Sequence, residues 1–544
     1  MGALFDAHSG PMTSLDTLLL AVMAVPDDPA ALVALADAHL EAGRAGEAAA
    51  LLLSALDKAP ADQAALALMG RAAQRIAATE GGVALPARPT PKALLAILGS
   101  DRLDHQNFVV PVLGYLKGVL PGNLTDPVWL AYLERSVNLD PGVETMLTGL
   151  RRRALLSRKH ALPAVFLAAL ARHCRNNEYV FFAEDDERAA LDALESELAG
   201  RLRRQARMGA ELLVYALYRP LARLPGAAEL GRRIPVGEPF TRAFAIEEVK
   251  LAREDAALRA ALPVLTPVTD AVSQAVARQY EENPYPRWLA MTPPEPGSRP
   301  VPAGVEAPEV LVAGCGTGQQ AIKAVFAYGP RARIVAVDLS RASLAYGLRM
   351  ARRFGVADRI EFAQADILAL DRLGRRFDVV ECTGVLHHMG DPMAGWRVLA
   401  GLLKPGGLMW VALYSEAARR PVNACRRLIA QGGWDGDDGI RRFRREVLAG
   451  RVPEAAELVG AAADFYSLSE ARDLLFHVQE AQFTIPEIER CLDELGLEFT
   501  GFSLPDRLLD EVGPEGTLLR RWHRLEQRRP ALFRGMYQFG CRKP

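Results

Sequence analysis

The run Glu309-Val310-Leu311-Val312-Ala313, followed at once by Gly314-Cys315-Gly316-Thr317-Gly318 and an amphipathic stretch, constrains the fold of this 544-residue chain more than any other segment. It spells strand, glycine-rich turn and helix, the layout with which an open parallel sheet builds a nucleotide site at the carboxyl ends of its strands. Glycine lets the backbone turn sharply and lets a ligand lie against it without Cβ clashes. Thr317, with Gln320 three residues on, has the capping-box pattern and is expected to start the helix. The free amides of that first turn favour a carboxylate or phosphate. A dinucleotide fingerprint needs a third glycine at the sixth position of GxGxxG; Gln319 stands there, and the pattern is GxGxG instead.

The segments that follow extend the same architecture. Ile334-Val335-Ala336-Val337-Asp338 is an apolar strand ending in an acid 20 residues after Gly318. An acid at a strand tip can accept both hydroxyls of a ribose, and a hydrogen bond to a charged group contributes about 1.5–3 kcal/mol. Ser340 is expected to cap the next helix and Gly355 to close it. A third strand, Ile360-Glu361-Phe362-Ala363, leads to Gln364-Ala365-Asp366-Ile367, where the acid suits the exocyclic amine of an adenine and the isoleucine its ring face. A fourth, Phe377-Asp378-Val379-Val380-Glu381-Cys382, runs into Thr383-Gly384-Val385-Leu386-His387-His388-Met389. A helix from Asp391 and the break Lys404-Pro405-Gly406-Gly407 precede a fifth strand over residues 408–414.

In this order, AGCGTG, AVDLS, QADI, ECTGVLHHM and LKPGG resemble the class I S-adenosylmethionine-dependent methyltransferases over about residues 309–415. Residues 484–496, 497–504 and 536–542 fit the last helix and two strands of that fold. The resemblance implies an α/β, Rossmann-like domain with a seven-stranded sheet, preceded by an all-α, repeat-containing region. It also implies S-adenosylmethionine as the cofactor, with Gly314, Gly316 and Gly318 passing under it, Asp338 and Leu339 at its ribose, and Asp366 and Ile367 at its adenine. Many members carry an acid two residues before the first glycine, where this chain has Val312. The methionine ammonium is therefore expected to find another acceptor, such as a main-chain carbonyl near Cys382. A narrower likeness rests on Tyr280-Glu281-Glu282-Asn283-Pro284-Tyr285-Pro286-Arg287-Trp288, on residues 473–488 (DLLFHVQEAQFTIPEI) and on the helical N-terminal half. Together these are similar to bacterial methyltransferases carrying tetratricopeptide repeats. The rickettsial lysine methyltransferases that modify an outer-membrane surface protein have a similar length and layout, and are dimers. That likeness implies a protein substrate, methylation of a lysine amine and a homodimer.

Residues 28–60 carry two helical periods separated by the turn Glu41-Ala42-Gly43-Arg44. Leu32, Leu35 and Ala36 fall on the inner face of the first, and Ala48, Leu52 and Ala55 on that of the second. Asp62 follows Asp28, and Pro60 follows Pro26, by 34 residues, the period of the tetratricopeptide repeat. Only one repeat is complete; residues 18–25 read as a preceding helix and 66–73 as a following one. An alanine-rich bundle with accidental spacing is the plainer alternative. A repeat surface binds a peptide or another subunit. The Pro/Gly-rich break at residues 81–91 ends this region. The expected organisation is repeats over 1–80, a helical middle or dimerisation region over 92–265, and a cofactor-binding core over 266–415. A helical insertion forming a substrate lid follows over 416–483, and the rest of the sheet over 484–544.

The 65 Lys and Arg against 66 acids leave a formal charge of −1, which excludes a strongly basic nucleic-acid binder, so nucleic acid is not an expected partner. The six cysteines are far apart and form no CxxC pair, pointing to free thiols in a reducing compartment and to no metal site. No apolar run reaches the roughly 18 residues that span a bilayer. Residues 17–25 lack the basic flank of a secretory signal, and the expected location is the cytoplasm.

Candidate roles follow from these placements. Tyr280, Tyr285 and Arg287 either close over the cofactor, with Arg287 taking the methionine carboxylate, or form a rigid lid whose aromatics pack on the sheet. His388 and Glu381, at the fourth strand, are the candidate catalytic groups for removing a proton from the acceptor; a structural turn is the alternative for the histidines. The polar run at residues 173–179 reads as a capped helix end, with lining a site as the alternative. His477 and Glu480 read as a surface pair, with shaping the acceptor pocket as the alternative, and Arg441-Arg442-Phe443-Arg444-Arg445 as a solvated basic face, with contact to an acidic protein segment as the alternative. A sulfonium donor is already activated, so transfer depends on positioning and desolvating the acceptor, and a lysine must be neutral to attack. No Asn/Asp-Pro-Pro-aromatic sequence follows the fourth strand, which argues against adenine amines and glutamine amides as acceptors. A small-molecule or lipid methyltransferase and a non-catalytic, repeat-based adaptor are the alternatives. Intact glycines together with Asp338 count against the adaptor.

Overall fold

In the computed structural model, which describes residues 14–80, 85, 88–157, 162–461, 463–513 and 518–544, the apolar runs of the second half become strands. These are β1 (Glu309–Ala313), β2 (Arg333–Asp338), β3 (Ile360–Gln364), β4 (Phe377–Thr383), β5 (Leu403–Leu413), β6 (Glu498–Phe502) and β7 (Tyr537–Arg542). They form one sheet in the order β3-β2-β1-β4-β5-β7-β6, in which β7 runs antiparallel to β5 and β6. The central parallel strands are apolar almost throughout because helices cover both faces of such a sheet; Val310 to Ala313 and Ile334 to Val337 are all buried. Between β1 and β4 the strand order reverses, which opens a crevice at their carboxyl ends.

Local signals explain most element ends. Ser340 caps the helix Arg341–Arg353 by accepting from the Ser343 amide, and Thr484 and Glu487 form a capping box on Ile485–Leu495. Two expectations need correction. The helix after the first glycine turn is Gln319–Ala327 with Gly318 as its N-cap, so Thr317 and Gln320 form no capping box. Thr317 instead donates to the Pro286 carbonyl, and Gln320 donates to Glu381. The Lys-Pro-Gly-Gly segment is part of β5 rather than a break before it. It is held by the chain's last residues, since the Gly406 amide donates to the Lys543 carbonyl and the Lys543 amide to Gly407.

The chain divides into two units. The first comprises Met1–Leu139, Ala161–Asn176 and Leu289–Thr292. Its helices Pro29–Glu41, Ala45–Lys58 and Gln63–Glu80 share a core in which Leu32, Ala36, Ala48, Leu52 and Ala55 are buried as their spacing predicts. The 34-residue interval also recurs as a repeated cap. Asp28 accepts from the Ala30 amide, and Asp62 from those of Ala64 and Ala65. Of the break at 81–91, residues 81–84, 86 and 87 lie outside the described residues. Thr292 packs inside this unit: its hydroxyl accepts from the Asp104 amide, and its carbonyl from Gln74.

The second unit comprises Asp140–His160, Asn177–Trp288 and Pro293–Pro544, so the middle region expected over 92–265 is shared between the units. The insertion after β5 is helical, with Arg420–Gly432, Gly436–Leu448 and Leu468–Phe476. Its arginine run is not a solvated face. Arg444 is 1% exposed and pairs with Glu144 of the helix Pro141–Leu156, while Arg441 donates to the Tyr179 carbonyl and Arg445 pairs with Glu184. The acids that pair with Arg444 and Arg445 lie more than 250 residues earlier in the chain, out of reach of any local reading.

Candidate active site

A cavity of about 340 Å³ occupies the crevice at the strand ends. The sheet contributes Gly314, Gly316, Asp338, Leu339, Asp366 and Ile367 to its wall, with Thr383, Gly384, Val385 and His388 after β4. Tyr280 and Tyr285 enter from the segment before β1, Tyr414 from the end of β5, and Asp473 from the helix Leu468–Phe476.

Asp338 organises the glycine turn. One carboxylate oxygen accepts from the Gly316 amide at 2.8 Å and the other from the Ser340 amide at 2.9 Å. Burial nevertheless pushes its carboxyl up to about 6, with the nearby Glu281 adding to the rise. Each oxygen keeps a second lone pair, as a ribose diol requires. Gly316, at φ +51°, lies against the Tyr285 carbonyl, 2.5 Å from where a Cβ would stand, so no other residue fits this turn. Gly318 serves packing instead. It does not line the cavity; at φ +78° its α-carbon faces that of Gly347, which a Cβ would approach to 2.8 Å. Asp366 caps the turn after β3 by accepting from the Leu368 amide.

Two expected side chains, those of Glu381 and Arg287, stand elsewhere. Glu381 does not line the cavity: fully buried two residues short of the end of β4, it accepts from the Tyr328 hydroxyl at 2.7 Å and pairs with Arg299 at 3.0 Å. Its carboxylate is thus committed beneath the helix Gln319–Ala327. The Cys382 side chain lies in the hydrophobic core on the opposite face of β4, where burial pushes the thiol up to about 12; the expectation there concerned a main-chain carbonyl near it, and the next residues, Thr383 and Gly384, line the cavity. Arg287 lines a different cavity, pairs with Glu178 at 3.6 Å and lies over the Tyr346 ring.

His388 does line the cavity, and its surroundings fix its proton. Its Nδ1 lies 2.8 Å from the Gln479 carbonyl, to which it can only donate, so Nε2 is the open acceptor of the neutral ring. Burial lowers its pKa and keeps it neutral. Behind it, His387 is fully buried between His388 and Tyr414. The His477–Glu480 pair is also inside the protein: Glu480 binds Arg419 and Arg426, and His477 stacks on His388 with ring centroids 3.7 Å apart.

Asp473 and Tyr414 are the residues that sequence reasoning missed. Tyr280 donates to Asp473 Oδ1 at 2.7 Å, and the Tyr414 hydroxyl stands 3.5 Å from Oδ2. His388, Asp473 and His477 each bring one potential ligand atom within 4.8 Å of the others. A metal nevertheless fits poorly. His477 Nδ1 accepts from the Gln479 amide, which puts the ring proton on Nε2, where it meets the Tyr280 oxygen at 3.1 Å. The group is a directed hydrogen-bond chain, His477 to Tyr280 to Asp473.

The matching family model, described as a methyltransferase domain, covers residues 310–407. An uncharacterized Synechococcus protein is 33% identical over 287 residues, covering 47% of this chain and 67% of that one. The 27-O-demethylrifamycin SV methyltransferase of Amycolatopsis mediterranei is 30% identical over 204 residues, covering 35% of this chain and 72% of that enzyme. Two further bacterial methyltransferases are matched over only 46% and 50% of their own length. Among solved structures, that of PKMT2 from Rickettsia typhi in complex with AdoHcy aligns with a TM-score of 0.35 and 18% identity, over 44% of this chain and 49% of that one. Among the described residues, no helix is long and apolar enough to cross a membrane.

Proposed function

This chain belongs to the S-adenosylmethionine-dependent methyltransferases, and on that premise we propose that its acceptor is an amine on a protein side chain, a lysine being favoured. The observation that carries this reading is the charge of the cavity wall. Three carboxylates line it, Asp338, Asp366 and Asp473, and among the described residues no lysine or arginine does. Such a wall favours an acceptor that is cationic or rich in hydrogen-bond donors over one that is a phosphate or carboxylate. Two of the acids belong to the cofactor end; Asp473 remains for the acceptor.

The residues fit the cofactor. Gly316 and Asp338 shape the turn and offer the ribose acceptors, Asp366 and Ile367 suit the adenine, and Tyr285 stands at the methionine end. Bound there, S-adenosylmethionine supplies a methyl group already activated by a positively charged sulfur. The protein must orient the acceptor, exclude water and accept a proton from nitrogen. Neutral His388, with Nε2 open, is suited to that last task. The helices of the first unit are assigned to presenting the protein substrate, as a repeat surface does.

The test uses the purified protein, methyl-labelled S-adenosylmethionine and lysate of its own host, with Asp338→Ala as control. Enzyme-dependent label in protein, resistant to nuclease and lipid extraction and found on lysine by mass spectrometry, is the expected result. Label confined to lipid or small soluble molecules overturns the protein reading.

A further inference from the structure

Resting on the amine reading above, we propose that Asp473 and His388 together form a two-point seat for the acceptor nitrogen, and that this seat selects primary amines and limits transfer to one methyl group. Three features of the cavity support it. Each of the two side chains has its far side fixed: His388 by the Gln479 carbonyl on Nδ1, Asp473 by the Tyr280 hydroxyl on Oδ1. Tyr280 is itself held by the ring proton of His477, so the chain of donors runs in one direction and leaves Asp473 an acceptor. The acceptors left for a ligand are therefore His388 Nε2 and Asp473 Oδ2, which the Tyr414 hydroxyl meets only at 3.5 Å, and among the described residues no lysine or arginine lines the cavity.

One potential ligand atom of His388 and one of Asp473 lie within 4.8 Å of each other, and a tetrahedral amine donating two hydrogen bonds of about 2.8 Å spans about 4.6 Å, so one nitrogen can bridge the two side chains. A neutral primary amine satisfies both acceptors with its two N–H groups and keeps its lone pair free for the methyl group. A hydroxyl has one hydrogen and leaves one buried acceptor unmet, which is the strongest form of discrimination a polar site provides. A neutral monomethyl amine is in the same position, since its methyl group must face either a carboxylate or an imidazole nitrogen. In the transfer itself the nitrogen lone pair forms the N–C bond, sulfur departs with the bonding pair as a neutral thioether, and one N–H proton passes to His388 Nε2.

The test has a binding arm and a product arm. With S-adenosylhomocysteine bound, n-butylamine, n-butanol and N,N-dimethylbutylamine, whose protonated form keeps a single N–H, are compared as ligands of the full chain by ligand-observed NMR. n-Butylamine is expected to bind at least about tenfold more tightly than either of the others, and Asp473→Asn to abolish that difference while S-adenosylhomocysteine affinity stays unchanged. In the product arm, modified lysine is expected to be predominantly monomethylated. Equal binding of the three probes to the wild-type protein overturns the seat whether or not the variant folds, and so does a predominantly trimethylated product. If the labelled acceptor proves to be an oxygen or carbon, the amine reading fails by itself, and the probe comparison still decides the seat separately.

Discussion

Cofactor affinity should fall steeply on mild acidification, because the residue assigned to the ribose is a buried carboxylate. Asp338 is pushed up to about 6 by burial, against an ordinary value near 4. Ribose hydroxyls donate to the ionised form, so the carboxyl must titrate lower in the complex than in the free protein. Binding then requires a proton to leave, and affinity is full above the free value and lost as the pH falls through it. The apparent Kd is multiplied by one plus the ratio of protonated to ionised carboxyl: about twofold at pH 6 and about elevenfold at pH 5. Isothermal titration with S-adenosylhomocysteine between pH 7.5 and 5 measures this directly. Asp338→Asn serves as control; it should bind weakly, with a flat profile over the same range. A wild-type affinity that is constant from pH 7.5 to 5, or a slope that survives in Asp338→Asn, refutes the assignment.

Gly318→Ala combines a left-handed backbone with a Cβ at 2.8 Å from Gly347, and should cost about 2–5 kcal/mol of stability. Denaturant unfolding reads this; unchanged stability with lost cofactor binding would return Gly318 to the cofactor site. Arg444→Ala strands Glu144 in the interior and should destabilise the second unit by about 3–5 kcal/mol, whereas Glu144→Gln with Arg444→Met should recover much of the loss, both judged by calorimetry. Dialysis against a chelator should leave methyl transfer unaltered, because the His477 ring proton already occupies the position a metal would need. Activity lost on chelation and restored by zinc contradicts that reading.

What was legible in the sequence is what strand ends fix. Asp338 and Asp366 are placed by their position in the chain, since the last residues of parallel strands must reach the crevice whatever packs around them. Depth and approach direction are not encoded in that way. Glu381 is on the expected strand but two residues too deep, where Tyr328 and Arg299 claim it. Arg287 follows Tyr285 by two residues, yet only Tyr285 reaches the cavity. Asp473 arrives on an insertion helix, 59 residues after Tyr414, and no local pattern says where such a helix docks. One signal was available: Asp473 shares the buried face of LSEARDLLF with Leu468, Ala471, Leu474 and Leu475, and an acid on an apolar face calls for partners. Arg444 carries the same mark, sharing the buried face of Gly436–Leu448 with Ile440, Phe443 and Val447, but its partner Glu144, 300 residues away, is not named by it.

The division of the chain bears on how its two units depend on each other. The backbone leaves one unit for the other after Leu139, His160, Asn176, Trp288 and Thr292. Two domains joined end to end need a single passage; with five, neither unit is a continuous stretch of chain. The four residues Leu289–Thr292 make the point most sharply, since they are borrowed from the middle of the catalytic half to complete the helical one. A shortened protein beginning at residue 140 would keep the glycine turn and the strand-end acids, yet would carry Thr292 without Asp104 and Gln74, its hydrogen-bond partners in the first unit.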